Sequence, residues 1–117
     1  MDPRPELGRL GEDLAADLME RSGYLVLERN FRCKAGEIDL VCTDGEVLVF
    51  CEVKTRRTDR WGDPCEAVDY RKQARLRRLA VEWMQERRPG SVQVRFDVVS
   101  VIVGDRERRV MHLPDAF

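Results

Sequence analysis

The run Glu-Val-Leu-Val-Phe-Cys-Glu-Val-Lys at residues 46–54 constrains the fold more than any other segment. Val47, Val49, Cys51 and Val53 alternate with Leu48 and Phe50, so both sets of side chains are largely apolar. A strand of this kind is buried on both faces and belongs at the middle of a sheet covered on both sides. Asp44-Gly45 immediately before it is a two-residue hairpin signal. It predicts an antiparallel partner strand over 37–42. The central strand nevertheless carries Glu52 and Lys54 near its end. Charges are costly to bury without partners, so this end of the strand needs a separate explanation.

The flanking segments supply the covering layers. Leu7, Leu10, Leu14 and Leu18 form an apolar stripe that predicts a helix over 7–22, with Gly23 as its C-terminal cap. Tyr24–Leu27 is a short strand candidate. After a loop over 55–68 with Gly62 and Pro64, Asp69 is placed to cap a second helix that runs to about Arg88. Leu76, Leu79, Ala80 and Trp83 are its buried stripe, and Pro89-Gly90 ends it. A long strand over Val92–Val103 turns at Gly104-Asp105 into a last strand near Val110–Leu113. The order α-β-β-β-α-β-β predicts an α/β three-layer sandwich around a mixed sheet. The 117 residues fit one domain, 1–117, with residues 1–6 as a loose leader.

Composition excludes several classes of function. No apolar run approaches the ~18 residues of a membrane span, and no apolar signal region follows Met1, so a cytoplasmic location without membrane contact is expected. Cys33, Cys42, Cys51 and Cys65 show no Cys-x-x-Cys spacing and His112 is the single histidine, which argues against zinc. Four free thiols are expected, with His112 structural. The net charge of −1 conceals an asymmetry: residues 1–53 carry 6 basic and 12 acidic side chains, residues 54–95 carry 12 and 6. The middle segment is basic enough for a nucleic-acid partner, although a solvated helix face gives the same pattern.

With Asp44-Gly45 as a two-residue loop, Thr43 pairs with Glu46, Asp39 faces Phe50 and Glu37 faces Glu52. Cross-strand partners share a face, as do residues two apart. Glu37, Asp39, Glu52 and Lys54 would then project from one side of the sheet. One explanation is a salt-bridge network, Lys54 neutralising Glu52 and an arginine neutralising Glu37. The other is a site for a hard divalent cation, with the lysine holding a phosphate or orienting the attacking water. Lys54 is one of 3 lysines against 18 arginines, and an ammonium whose pKa can shift suits that second role. Glu12 points away from the leucine stripe among Gly8, Ala15, Ala16 and Met19, which suggests a second contact on that side of the helix.

An acid on the first helix, then Asp39, then Glu52-Val53-Lys54 on the following strand resembles the PD-(D/E)xK restriction-endonuclease-like superfamily, near the archaeal-type Holliday-junction resolvases. Gly36-Glu37-Ile38-Asp39-Leu40-Val41 and Phe50-Cys51-Glu52-Val53-Lys54-Thr55-Arg56 look more specifically like the bacterial YraN-like family, UPF0102. Gly11-Glu12, Gly23-Tyr24, Asn30-Phe31-Arg32, Lys72, Arg95–Val99 and His112–Phe117 extend the likeness over nearly the whole chain. The resemblance implies a Mg²⁺- or Mn²⁺-dependent endonuclease with Asp39, Glu52 and the Val53 backbone carbonyl as ligands. Lys54 would be the catalytic lysine, and Glu12 an acid acting through water. Ile38 stands where the superfamily has proline. Glu37 and Gln73 are possible accessory residues. Arg56, Arg57, Arg60, Arg71, Lys72 and Arg75, with Arg78, would contact phosphates without reading sequence, and Trp61 could stack on a base or anchor its loop. DNA is expected in preference to RNA, branched or damaged DNA among the candidates, and a homodimer is compatible with so small a footprint. The alternatives are a nucleic-acid-binding module that does not cleave and a protein-interaction adaptor on the same scaffold.

Overall fold

A computed structural model describes residues 4–57 and 68–117. The elements are α1 (Arg4–Arg21), β1 (Leu25–Cys33), β2 (Gly36–Thr43), β3 (Val47–Arg56), α2 (Tyr70–Arg87), β4 (Gln93–Val103) and β5 (Arg108–Leu113). The five strands form one mixed sheet in the order β1-β2-β3-β4-β5. β3 and β4 are parallel, while the other neighbours are antiparallel. The doubly apolar run is the middle strand of the sheet, as its alternation requires.

Among the described residues each face carries one helix. Leu40, Cys42, Val49, Cys51, Val99 and Val101 pack against Ala15, Ala16 and Met19 of α1. Phe31, Ile38, Val41, Leu48 and Phe50 pack against Leu76, Leu79, Ala80 and Trp83 of α2. The α2 stripe is the one expected, and Asp69 caps the helix by accepting the Lys72 N–H at 2.9 Å. Arg88, at φ 50°, closes its C-terminus ahead of Pro89-Gly90.

Three expectations need correction. Helix α1 begins at Arg4, so Arg4–Glu6 are its first turn and not part of a leader. Its deepest residues are not the leucines, which are half-buried, but Gly11, Ala15, Ala16 and Met19. Small side chains let the helix lie close to the sheet, with the leucines flanking the contact. Strand β1 runs to Cys33, well beyond the expected Leu27. Its pairing with β2 supplies what its mixed composition does not, since strand propensity depends on context.

The β2–β3 register is also displaced. Thr43 pairs with Leu48 and Val41 with Phe50, so four residues, 44–47, lie between the last paired positions of the hairpin, not two. Asp44 Oδ1 accepts the N–H groups of Glu46 and Val47, both at 2.9 Å, and the Thr43 hydroxyl donates to the Val47 carbonyl at 2.8 Å. These bonds take Glu46 and Val47 into the turn, a use of Asp that hairpin rules based on two residues do not count.

Residues 58–67 lie outside the described part, and with them Arg60, Trp61, Gly62, Pro64 and Cys65. Cys33, Cys42 and Cys51 are free thiols. Among the described residues no helix is long and apolar enough to cross a membrane.

Candidate metal centre

The site lies where β2 leaves β3. Their ladder ends at the Leu40–Cys51 pair, and beyond it the Val53 N–H donates to Asp39 Oδ2 at 2.8 Å. The Asp39 carboxylate thus occupies the gap between the strands. Carboxylate oxygens of Glu12, Glu37 and Asp39 lie within 4.8 Å of one another. Glu12 comes from α1, and together with Leu7, Gly8, Val53, Lys54 and Thr55 it lines an open cleft.

Strict alternation fails at Asp39. Leu40 and Cys42 face α1, yet Ile38 and Val41 both face α2. Asp39 and Glu37 consequently turn toward Glu12 of α1. Along β3 the alternation is regular: Phe50 faces α2, and Cys51 and Val53 face α1. Glu52 and Lys54 therefore project on the α2 side, where Lys54 meets Lys72. The four residues do not share one face, because the side-chain alternation of β2 reverses between Ile38 and Leu40 while its pairing with β1 stays in register, and a rule of two assumes no reversal. They converge around the open end of the sheet from both sides.

The electrostatics separate these residues. Lys54 Nζ is 3.3 Å from Glu52 and Arg32 is 3.5 Å from Glu37. Both salt bridges of the purely structural explanation are therefore present. Asp39 has no ion pair among the described residues. Burial first, then the charges of Glu52, Glu12 and Glu37, push its carboxyl up from 3.8 to about 7 against the single opposing effect of the Val53 N–H. A salt-bridge network built for stability would not leave its most buried carboxylate facing three others. The donor set is all hard oxygen and over-supplied with negative charge, which fits a hard divalent cation such as Mg²⁺ or Mn²⁺.

Among the other expected site residues, Val53 enters through its N–H, and Glu52 stands outside the group of three that Glu37 joins. The Gln73 side chain donates to the Val68 carbonyl at 3.1 Å, which ties it to the entry of α2 and not to the carboxylates. Arg57, Arg71, Arg75 and Arg78 are exposed and Lys72 is half-buried. Arg56 Nε is buried without a hydrogen-bond partner. Other arginines of the basic segment have structural partners: Arg77 lies over the Phe96 and Phe117 rings, and Arg87 pairs with Glu28 and Glu86. Trp83 is core, its Nε1–H donating to Glu28 at 2.9 Å. His112 is structural, bound to Asp97.

Two residues escaped the sequence reading as parts of the site. A Cβ on Gly11 would meet Thr55 Oγ1 at 1.8 Å and Thr55 Cβ at 2.8 Å. Asn30 has φ 55°. The available signal was a glycine inside a helical pattern, which costs up to about 1 kcal/mol and so needs a packing reason.

A family model described as "Uncharacterised protein family UPF0102" matches residues 11–101. A UPF0102 protein of Frankia casuarinae is 50% identical over 118 residues, covering 100% of both chains. One of Streptomyces griseus is 52% identical over 107 residues, 91% of this chain and 90% of its own. One of Renibacterium salmoninarum is 48% identical over 114 residues, 97% of each chain.

Proposed function

The chain belongs to the UPF0102 family, and we propose that this member is a Mg²⁺- or Mn²⁺-dependent nuclease that hydrolyses phosphodiester bonds, with branched or damaged DNA among its substrates. The observation that carries this reading is Asp39, a carboxylate held at about 7 by burial and by Glu52, Glu12 and Glu37. A bound divalent cation supplies Lewis-acid polarisation of a phosphoryl oxygen and activation of water. Asp39, Glu12 and Glu37 would hold it, with Glu52 at the margin of the same cluster.

The remaining roles follow from position. Lys54 contributes to the lining of the cleft that Glu12 borders, and its ammonium, on the α2 side, pairs with Glu52. In this reading it would hold a phosphate oxygen or orient the attacking water. Lys72 lies against Lys54, and that neighbouring ammonium lowers the Lys72 pKa. Two cations side by side next to an acidic cluster suit an anionic ligand between them. Arg56, with its buried Nε, and the exposed Arg57, Arg71, Arg75 and Arg78 extend the positive surface along β3 and α2. Such contacts bind the backbone and fix its register without reading sequence.

The test is cleavage of single-stranded, duplex, flap and four-way-junction DNA and of RNA, with Mg²⁺ or Mn²⁺. Asp39→Ala and Lys54→Ala proteins purified identically are the controls. We expect metal-dependent cutting that falls at least ~100-fold in both variants. Cutting that survives in the variants comes from a contaminant and would sink the proposal. Binding without cutting across the panel would move the assignment to a non-cleaving nucleic-acid module.

A further inference from the structure

Glu12 and Asp39 come from elements far apart in sequence, and the side-chain alternation of a regular strand would turn Asp39 away from Glu12. Two local backbone features offset this. The first is in β1. Arg29 reaches Asp13 of α1, whereas Glu28 and Phe31 both face α2. The alternation therefore reverses at Asn30, which sits between them at φ 55°. Arg29 pairs with Leu40 and Phe31 with Ile38, so Asn30 lies across from Asp39. The reversal in β2 that turns Asp39 toward Glu12 is the partner of the reversal at Asn30, and the two leave the register unchanged. Left-handed backbone is disfavoured for most residues by ~1–2 kcal/mol, and Asn is among the few that tolerate it.

The second feature is in α1. Gly11 precedes Glu12 and lies against Thr55 of β3, with no room for a Cβ. Thr55 Cβ itself is 2.8 Å from that position, so rotating the threonine side chain does not relieve the contact. Any larger residue moves α1 off the sheet at the point where Glu12 reaches the cleft.

We propose that Gly11 and Asn30 are positioning residues of the carboxylate cluster: the missing Cβ of one sets the depth of Glu12, and the left-handed backbone of the other turns Asp39 to meet it. This rests on the metal-site reading above. Neither residue touches the metal or substrate, so the readout is Mn²⁺ affinity of the full chain by titration calorimetry, with thermal unfolding as the check on folding.

Gly11→Ala and Asn30→Ala should each weaken Mn²⁺ roughly 10-fold or more, the scale seen when the support of a ligand is removed. Asn30→Gly, which keeps the left-handed backbone, should stay within about twofold of wild type. Asn30→Asp should fall between Gly and Ala, and carries the comparison if the Ala variant does not fold. Adding Thr55→Ala to Gly11→Ala should restore part of the affinity, since it removes the 1.8 Å contact. Folded variants that bind Mn²⁺ as wild type does, or an Asn30 series whose affinity ignores backbone preference, would overturn the inference alone. A wild-type chain that binds no Mn²⁺ would overturn the metal-site reading and this inference with it.

Discussion

Two aspartates, the half-buried Asp39 and the fully buried Asp97, stand in opposite electrostatic conditions on the same sheet. Asp97 on β4 has no exposed surface. Arg95 grips it with two bonds of 2.8 Å, His112 bonds to its Oδ2, and the Asp115 N–H donates to it at 3.0 Å. Tyr24 accepts a bond from Arg95 and meets His112 edge-on. Burial by itself would raise the Asp97 pKa, but His112, Arg95 and the Asp115 N–H outweigh it and hold the carboxyl below the ordinary range. Asp39 has one N–H donor and three acidic neighbours. A charge whose partners are all supplied by the chain serves the fold. A charge left unbalanced by the chain is available to something outside it.

Substitution at the two positions should break the comparison most strongly. Asp97→Asn leaves the half-buried Arg95 with a weakened partner and frees the C-terminal segment, and should lower stability by about 3 kcal/mol. Asp39→Asn removes a repelled charge while keeping an acceptor for Val53, and should leave the unfolding midpoint at pH 8 unchanged or raised. Chemical denaturation of both variants checks this. An Asp39→Asn protein as damaged as Asp97→Asn would show that Asp39 also serves the fold.

The pH dependence sharpens the contrast, because the two shifts have opposite signs. The folded state holds a proton on Asp39 that the unfolded state has released, so stability falls as pH rises from about 4 to about 7. The effect is on the order of 2 kcal/mol once partial solvent access to the cleft is allowed for. Asp97 is lowered, so its contribution is present above the ordinary carboxylate pKa and is lost as pH falls below about 4. Thermal unfolding against pH should therefore lose its slope between pH 4 and 7 in Asp39→Asn, with Mg²⁺ doing the same to the wild type. Its acid limb should flatten in Asp97→Asn.

The smallest expected effect concerns the basic surface. Arg75→Ala near the site should lower nucleic-acid affinity and reduce the salt slope by about one unit. Arg106→Ala, on the β4–β5 turn, changes the same charge and should do neither. Equal effects would reduce the basic segment to a general field.

Much of this was legible in local pattern. The α2 stripe, its Asp69 cap, the central place of β3 and the order of elements along the chain follow from short-range periodicity and turn chemistry, which the chain expresses within ten or twenty residues. Glu12, Asp39 and Glu52 could be singled out too, since they stand in apolar surroundings where charge needs a reason, but that Glu37 and not Glu52 joins Glu12 and Asp39 could not. The face each acid points to was not legible either. A single left-handed residue, Asn30, reverses a side-chain alternation that the sequence continues as if unbroken. A four-residue turn displaces the register by two residues without altering the apolar pattern. Residue types and spacing determined which layers form and which charges cannot lie idle. The tertiary structure alone decided that Glu37 and Asp39 turn to α1 while Glu52 and Lys54 turn to α2, because paired reversals of alternation and helix depth are set by contacts across the sheet.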